Sequence, residues 1–141
     1  MMPPDEYYPT DLRLIWYQPG RFFRKLEDEL YRFRRYDVPT SLLFLSFPLT
    51  SSRRVAREVN EFVVRGLRHL DFAGMLGDGD YAIALPHTDL EGAQSVVSRL
   101  REKLGAFPGR IGLATAADRT SLAELLEAAR QDAKASVGVA A

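Results

Sequence analysis

The sequence contains no cysteine, which excludes a disulfide framework, thiolate metal sites and thiol catalysis together. It also lacks net charge. Its 19 Lys and Arg residues balance 19 Asp and Glu residues, so no overall field draws the chain to nucleic acid or to an anionic membrane. No apolar run approaches the roughly 20 residues that span a bilayer. The opening stretch, Met1 to Asp11, is acidic and Pro-rich without an apolar h-region, which does not read as a signal peptide. A cytoplasmic protein is the simplest expectation. The two histidines, His69 and His87, lack partners at ligand spacing, so they read as surface residues rather than a zinc site. No P-loop is present and no Ser-His-Asp arrangement suggests itself.

What is present is ordinary globular material: 141 residues, 46% hydrophobic and 27% charged, enough for one domain with a real core. Residues 1–18 read as a tail or docking arm, 19–136 as the domain, and 137–141 as a frayed C terminus. After Pro19-Gly20, Phe22, Phe23, Leu26, Leu30 and Phe33 recur at helical spacing, and Asp37 and Pro39 end the pattern. Ser41 to Phe47 is a near-continuous apolar run, which predicts a strand buried on both faces. A second helix is predicted with Ser51 or Ser52 as its cap and Val55, Val59, Phe62, Val63, Leu67 and Leu70 as its apolar face.

The clearest local signal lies in the middle of the chain. Phe72 to Leu76 and Tyr81 to Leu85 flank Gly77-Asp78-Gly79-Asp80, and an Asp-Gly pair between apolar runs favours a tight antiparallel hairpin. Thr88 and Glu91 have capping-box spacing before a helix lined by Ala93, Val96, Val97, Leu100 and Leu104. A short strand around Arg110 to Ala114 follows. Ser121 and Glu124 form a second predicted capping box, opening a last helix to about Ala135. The order predicts an α/β (α+β) domain with a ferredoxin-like β-α-β-β-α-β core and extra helices at both ends. That plan hosts many unrelated functions.

The run from Gly77 through Asp78, Gly79, Asp80 and Tyr81 to Leu85-Pro86, followed by Thr88-Asp89, resembles the signature region of GGDEF domains, the diguanylate cyclase family. Ile111-Gly112-Leu113-Ala114 is similar to the family's late strand, and the resemblance covers roughly residues 21 to 130. It implies a nucleotide-cyclase-like fold and also a loss of chemistry. Condensing two GTP molecules needs divalent metal, which the family holds with carboxylates at the end of the first strand and at the third turn position. Those positions here are Ser46 and Gly79, and Asp78 replaces the second glycine of the turn. Between Phe47 and Arg54 there is no room for the family's guanine-reading helix, and Lys134 does not carry over as a phosphate ligand. The resemblance therefore implies a degenerate domain that is not an enzyme and needs no cofactor.

One family feature survives. Arg68 and Asp71 stand at the spacing of the RxxD motif that binds cyclic di-GMP, and Arg99 falls where the family places a completing arginine. The resemblance thus implies a cyclic di-GMP receptor using Arg68, Asp71 and Arg99. Arg68 and Asp71 also fit an inherited surface ion pair without a ligand. The rival function is a protein–protein interaction or dimerisation module that binds no nucleotide, its partner another protein or a second copy of the chain. Leu14, Ile15, Trp16 and Tyr17 read either as packing onto the domain or as a docking surface centred on Trp16 and Tyr17. Asp78 and Asp80 are explained by turn geometry, and no metal site is expected. Arg32, Arg34 and Arg35 beside Phe33 and Tyr36 read as a solvated face, because Glu27, Asp28 and Glu29 lie one turn earlier.

Overall fold

The computed structural model describes residues 16–47, 53–77, 79–105, 109–117 and 119–136, and for residues 53–56 the backbone alone. Its elements run β1 (Trp16–Tyr17), α1 (Pro19–Tyr36), β2 (Thr40–Ser46), α2 (Arg53–Gly66), β3 (Phe72–Gly77), β4 (Asp80–Pro86), α3 (Leu90–Leu104), β5 (Arg110–Thr115) and α4 (Leu122–Ala135). The sheet order is β1-β3-β4-β2-β5. Within it β3, β4, β2 and β5 are antiparallel neighbours, the ferredoxin-like arrangement expected from the element order, and β1 adds a parallel edge to β3.

β2 is the centre of the sheet and is buried on both faces, as its composition predicts. Successive side chains of a strand point to opposite faces, so its residues split by parity. Leu43 and Leu45 join Val59, Phe62 and Val63 of α2 and Ala93, Val96 and Leu100 of α3. Leu42 and Phe44 join Phe22, Leu26 and Leu30 of α1 and Leu125, Ala129 and Ala133 of α4. The domain is therefore a sheet between two helical layers. α4 lies unusually close to β5, because Gly112 carries no side chain. A Cβ there would sit 2.0 Å from the Ala129 carbonyl oxygen.

Several expectations need correction. Trp16 and Tyr17 belong to the sheet rather than to a tail, so the fold begins before residue 19. α2 ends at Gly66, and Leu70, assigned to its apolar stripe, lies beyond the helix and is exposed. The Thr88 capping box does not form: Asp89 is the N-cap of α3, accepting from Gly92 N at 2.9 Å. The Ser121–Glu124 box forms fully, with the side chain of each residue accepting from the backbone N–H of the other. The Ser51 or Ser52 cap, the side chain of Val55 and residues 137–141 lie outside what is described. No helix among the described residues is long and apolar enough to cross a membrane.

Candidate functional site

The RxxD segment forms a turn between α2 and β3. Asp71 N–H donates to the Arg68 carbonyl at 3.1 Å, a turn closure that brings residues 68 and 71 together. The Asp71 carboxylate then accepts from Arg68 at both ends. Oδ2 takes the Arg68 backbone N–H at 2.8 Å and Nε at 3.4 Å, and Oδ1 takes Nη2 at 3.0 Å. The Asp71 side chain is 2% exposed while that of Arg68 is 53% exposed. The pair thus has a fixed, buried acceptor and an open, cationic rim.

Nη2 of Arg68 also donates to the Pro86 carbonyl at 2.6 Å and to Thr88 Oγ1. Thr88 is itself buried and held on several sides. Its N–H donates to Pro39 O at 3.1 Å, its hydroxyl to Pro86 O at 2.9 Å, and its carbonyl accepts from Ser41 Oγ at 2.9 Å. His87, next to it, has φ of 55°, the left-handed backbone that turns the chain out of β4. Sequence reading gave Thr88 a helix cap and missed this role; no local pattern separates the two.

Arg99 reaches the same place from α3. Its Nη1 donates to Gly66 O at 3.1 Å, one of the carbonyls left open at the end of α2, and its guanidinium lies 5.8 Å from the Phe62 ring centre. Arg68, Asp71 and Arg99 then line one open cleft of about 300 Å³ with Pro39, His87, Thr88, Asp89, Gly92 and Val96. The three residues that the family resemblance marks are therefore neighbours in space. Each guanidinium keeps donors that make no hydrogen bond among the described residues, Nη1 of Arg68 and Nη2 of Arg99 among them.

The signature turn sits at the opposite end of the sheet. Gly79 has φ of 77°, and its carbonyl accepts from Phe47 N at 3.0 Å, tying the turn to the end of β2. Gly77 is exposed and pairs with Asp80 across an irregularity in the β3–β4 register. Asp78 lies outside the described residues. Tyr81 is a packing residue, stacked on Phe47 at 5.0 Å between ring centres and edge-on to Trp16 at 5.2 Å. Trp16 is 4% exposed, which corrects the docking-surface reading for this residue: the packing alternative holds. Tyr17 is half-buried against Phe72, with Arg21 and Lys25 over its ring.

Ser46 lies opposite Asp80 on one side and Arg110 on the other. All three border a second open cleft of about 300 Å³, lined also by Phe44, Arg130, Ala133 and Lys134. Sequence reading did not find this group, since it is assembled from four separate elements. Its one local trace is the i, i+4 spacing of Arg130 and Lys134. Among the described residues no three His, Asp or Glu side chains come together as a metal site. His69 and His87 are exposed, as are Arg32, Arg34 and Arg35, of which Arg32 pairs with Glu29 and Arg34 with Glu27.

No protein-family model and no curated protein matches the chain. Solved structures do, GGDEF domains among them. The GGDEF domain of DgcB from Caulobacter crescentus, in complex with c-di-GMP, aligns at a TM-score of 0.73 and 16% identity over 85% of this chain and 82% of that one. The FimX GGDEF domain from Pseudomonas aeruginosa aligns at 0.71 and 13% identity over 84% and 87%. Diguanylate cyclase SiaD from Pseudomonas aeruginosa, in complex with its activator SiaC, aligns at 0.71 and 17% identity over 83% of this chain. The chain spans about half of SiaD, 53% of its length. The fold of this chain is therefore that of a GGDEF domain.

Proposed function

We propose that this domain acts by binding rather than by catalysis, and that its ligand is cyclic di-GMP held in the Arg68–Asp71–Arg99 cleft. The observation that carries the reading is the convergence of these residues, from the α2–β3 turn and from α3, on one open cleft. The Arg68–Asp71 pair is compatible with binding. It occupies Nε and Nη2 of the guanidinium and leaves Nη1 for a phosphate oxygen or a guanine edge. Arg99, steadied by Gly66 O and the Phe62 face, presents a second planar donor set. DgcB, whose GGDEF domain shares this fold, was solved with c-di-GMP.

Loss of cyclase activity belongs to the same proposal. Where the family resemblance calls for metal-binding carboxylates, the chain has Ser46 and Gly79, and the adjoining cavity is lined by Arg110, Arg130 and Lys134 against Asp80. A divalent cation entering there meets positive charge. Incubation with GTP and Mg²⁺ is expected to yield no cyclic di-GMP by chromatography, while calorimetry with cyclic di-GMP reports binding. Product formation would sink the non-catalytic reading, and a silent titration the receptor reading. For the interaction-module alternative, Trp16 offers no exposed anchor; a partner would rest on exposed residues such as Leu70 and Leu90.

A further inference from the structure

The Arg68–Asp71–Arg99 cleft is rich in donors, and its acceptors are scarcer. Among the described residues that line it, the carboxylates are those of Asp71 and Asp89. They are in opposite states. The Asp71 side chain is buried and accepts from N, Nε and Nη2 of Arg68, so a ligand cannot reach it without opening the turn. Asp89 is exposed. Its Oδ1 caps α3 by accepting from Gly92 N at 2.9 Å, while Oδ2 makes no hydrogen bond among the described residues. It forms no ion pair among them either, although Arg68 and Arg99 line the same cleft.

A helix cap requires a single oxygen, which Ser, Thr or Asn supplies without charge. A carboxylate beside the seat of a phosphodiester is unfavourable by charge alone, unless the ligand also brings donors to it. Guanine does so. Its N1–H and 2-amino group lie side by side on one edge, and a carboxylate accepts from both. Adenine presents no such pair. Given the cyclic di-GMP reading above, on which this rests, we propose that Asp89, not Asp71, is the acceptor that reads the guanine base. Oδ2 and the remaining lone pair of Oδ1 are enough for both donors, and the Gly92 bond steadies the carboxylate beforehand. Asp71 acts on Arg68, which it holds in place, and Asp89 gives the site its preference for guanine.

The test is isothermal titration of the full chain, of Asp89→Asn and of Asp71→Asn, with cyclic di-GMP and with cyclic di-inosine monophosphate, which lacks only the 2-amino groups. Asparagine caps a helix as well as aspartate does, so Asp89→Asn is expected to melt close to the wild-type temperature, with an amide donor where Oδ2 stood. The wild type is expected to bind cyclic di-GMP about tenfold more tightly than the inosine analogue, and Asp89→Asn to bind both alike. Asp71→Asn is expected to keep the preference at lower overall affinity; if it binds neither ligand, Asp89→Asn carries the comparison. Tighter binding of cyclic di-GMP by Asp89→Asn, as relief of mere repulsion would produce, or a preference that this variant retains, would overturn the assignment and leave the receptor reading standing. A preference lost in Asp71→Asn alone does the same. A heat-silent wild type overturns both.

Discussion

Thr88 holds Arg68 in place from across the sheet: its hydroxyl accepts from Arg68 Nη2 while donating to the Pro86 carbonyl that the same Nη2 also reaches. The cleft rim is thus set by a buried threonine as much as by the Arg68–Asp71 pair. Replacing Thr88 by valine keeps the shape and removes the hydroxyl, so the cost is that of the lost hydrogen bonds, about 1–2 kcal/mol. Urea unfolding measures it. Weaker ligand binding in the same variant is expected, because Arg68 is then less well positioned.

Gly112 is the point at which α4 meets the sheet, and the added methyl of Gly112→Ala would meet backbone atoms, 2.0 Å from Ala129 O and 2.4 Å from Ala133 N. Backbone cannot swing aside as a side-chain tip can, so a loss of about 3 kcal/mol or failure to fold is expected. Gly20, in the first turn of α1, has nothing within 4 Å of a built Cβ. There Gly20→Ala is expected to stabilise by about 0.5–1 kcal/mol, through helix propensity and a more restricted unfolded chain. Paired urea melts distinguish the two, and equal effects would contradict the packing described.

The capping box of α4 predicts a pH dependence. Glu124 accepts from the Ser121 backbone N–H, which holds its carboxyl below the usual carboxylate range. A carboxylate whose folded pKa is lowered contributes stability above its unfolded pKa and loses it as pH falls through the folded value. The contribution is therefore present at neutral pH and fades below the ordinary glutamate range. Glu124→Gln is expected to flatten that part of the stability profile between pH 6 and about pH 3. Thermal melts across that range, wild type against variant, provide the check. Glu61, lowered by its bond to Lys103, adds to the wild-type slope in the same direction.

Much of this fold was legible in the sequence where local physics decides. The apolar run of β2, the Gly-Asp turn and the Ser121 cap are short-range signals, and the structure follows them. Two-residue β1 was not legible, because a strand that short has no period and exists through its pairing of Trp16 with Ala73. Thr88 was misread since a threonine three residues before a glutamate satisfies capping spacing, while the partner that claims it, Arg68, lies 20 residues away. The cleft residues were legible only through the resemblance to the family's RxxD region. The Arg110–Arg130–Lys134 cavity was not, since only the β2–β5 register and the close approach at Gly112 bring its parts together.

The central claim is that the Arg68–Asp71–Arg99 cleft receives cyclic di-GMP, and isothermal titration of the full chain with this dinucleotide tests it most directly. The account predicts saturable binding in the micromolar range or tighter, lost in an Arg68→Ala, Asp71→Ala double variant that circular dichroism shows to be folded and weakened about tenfold in Arg99→Ala, the equivalent of about 1.4 kcal/mol. A heat-silent titration with no thermal shift at saturating ligand, or binding that the folded double variant retains, would contradict it.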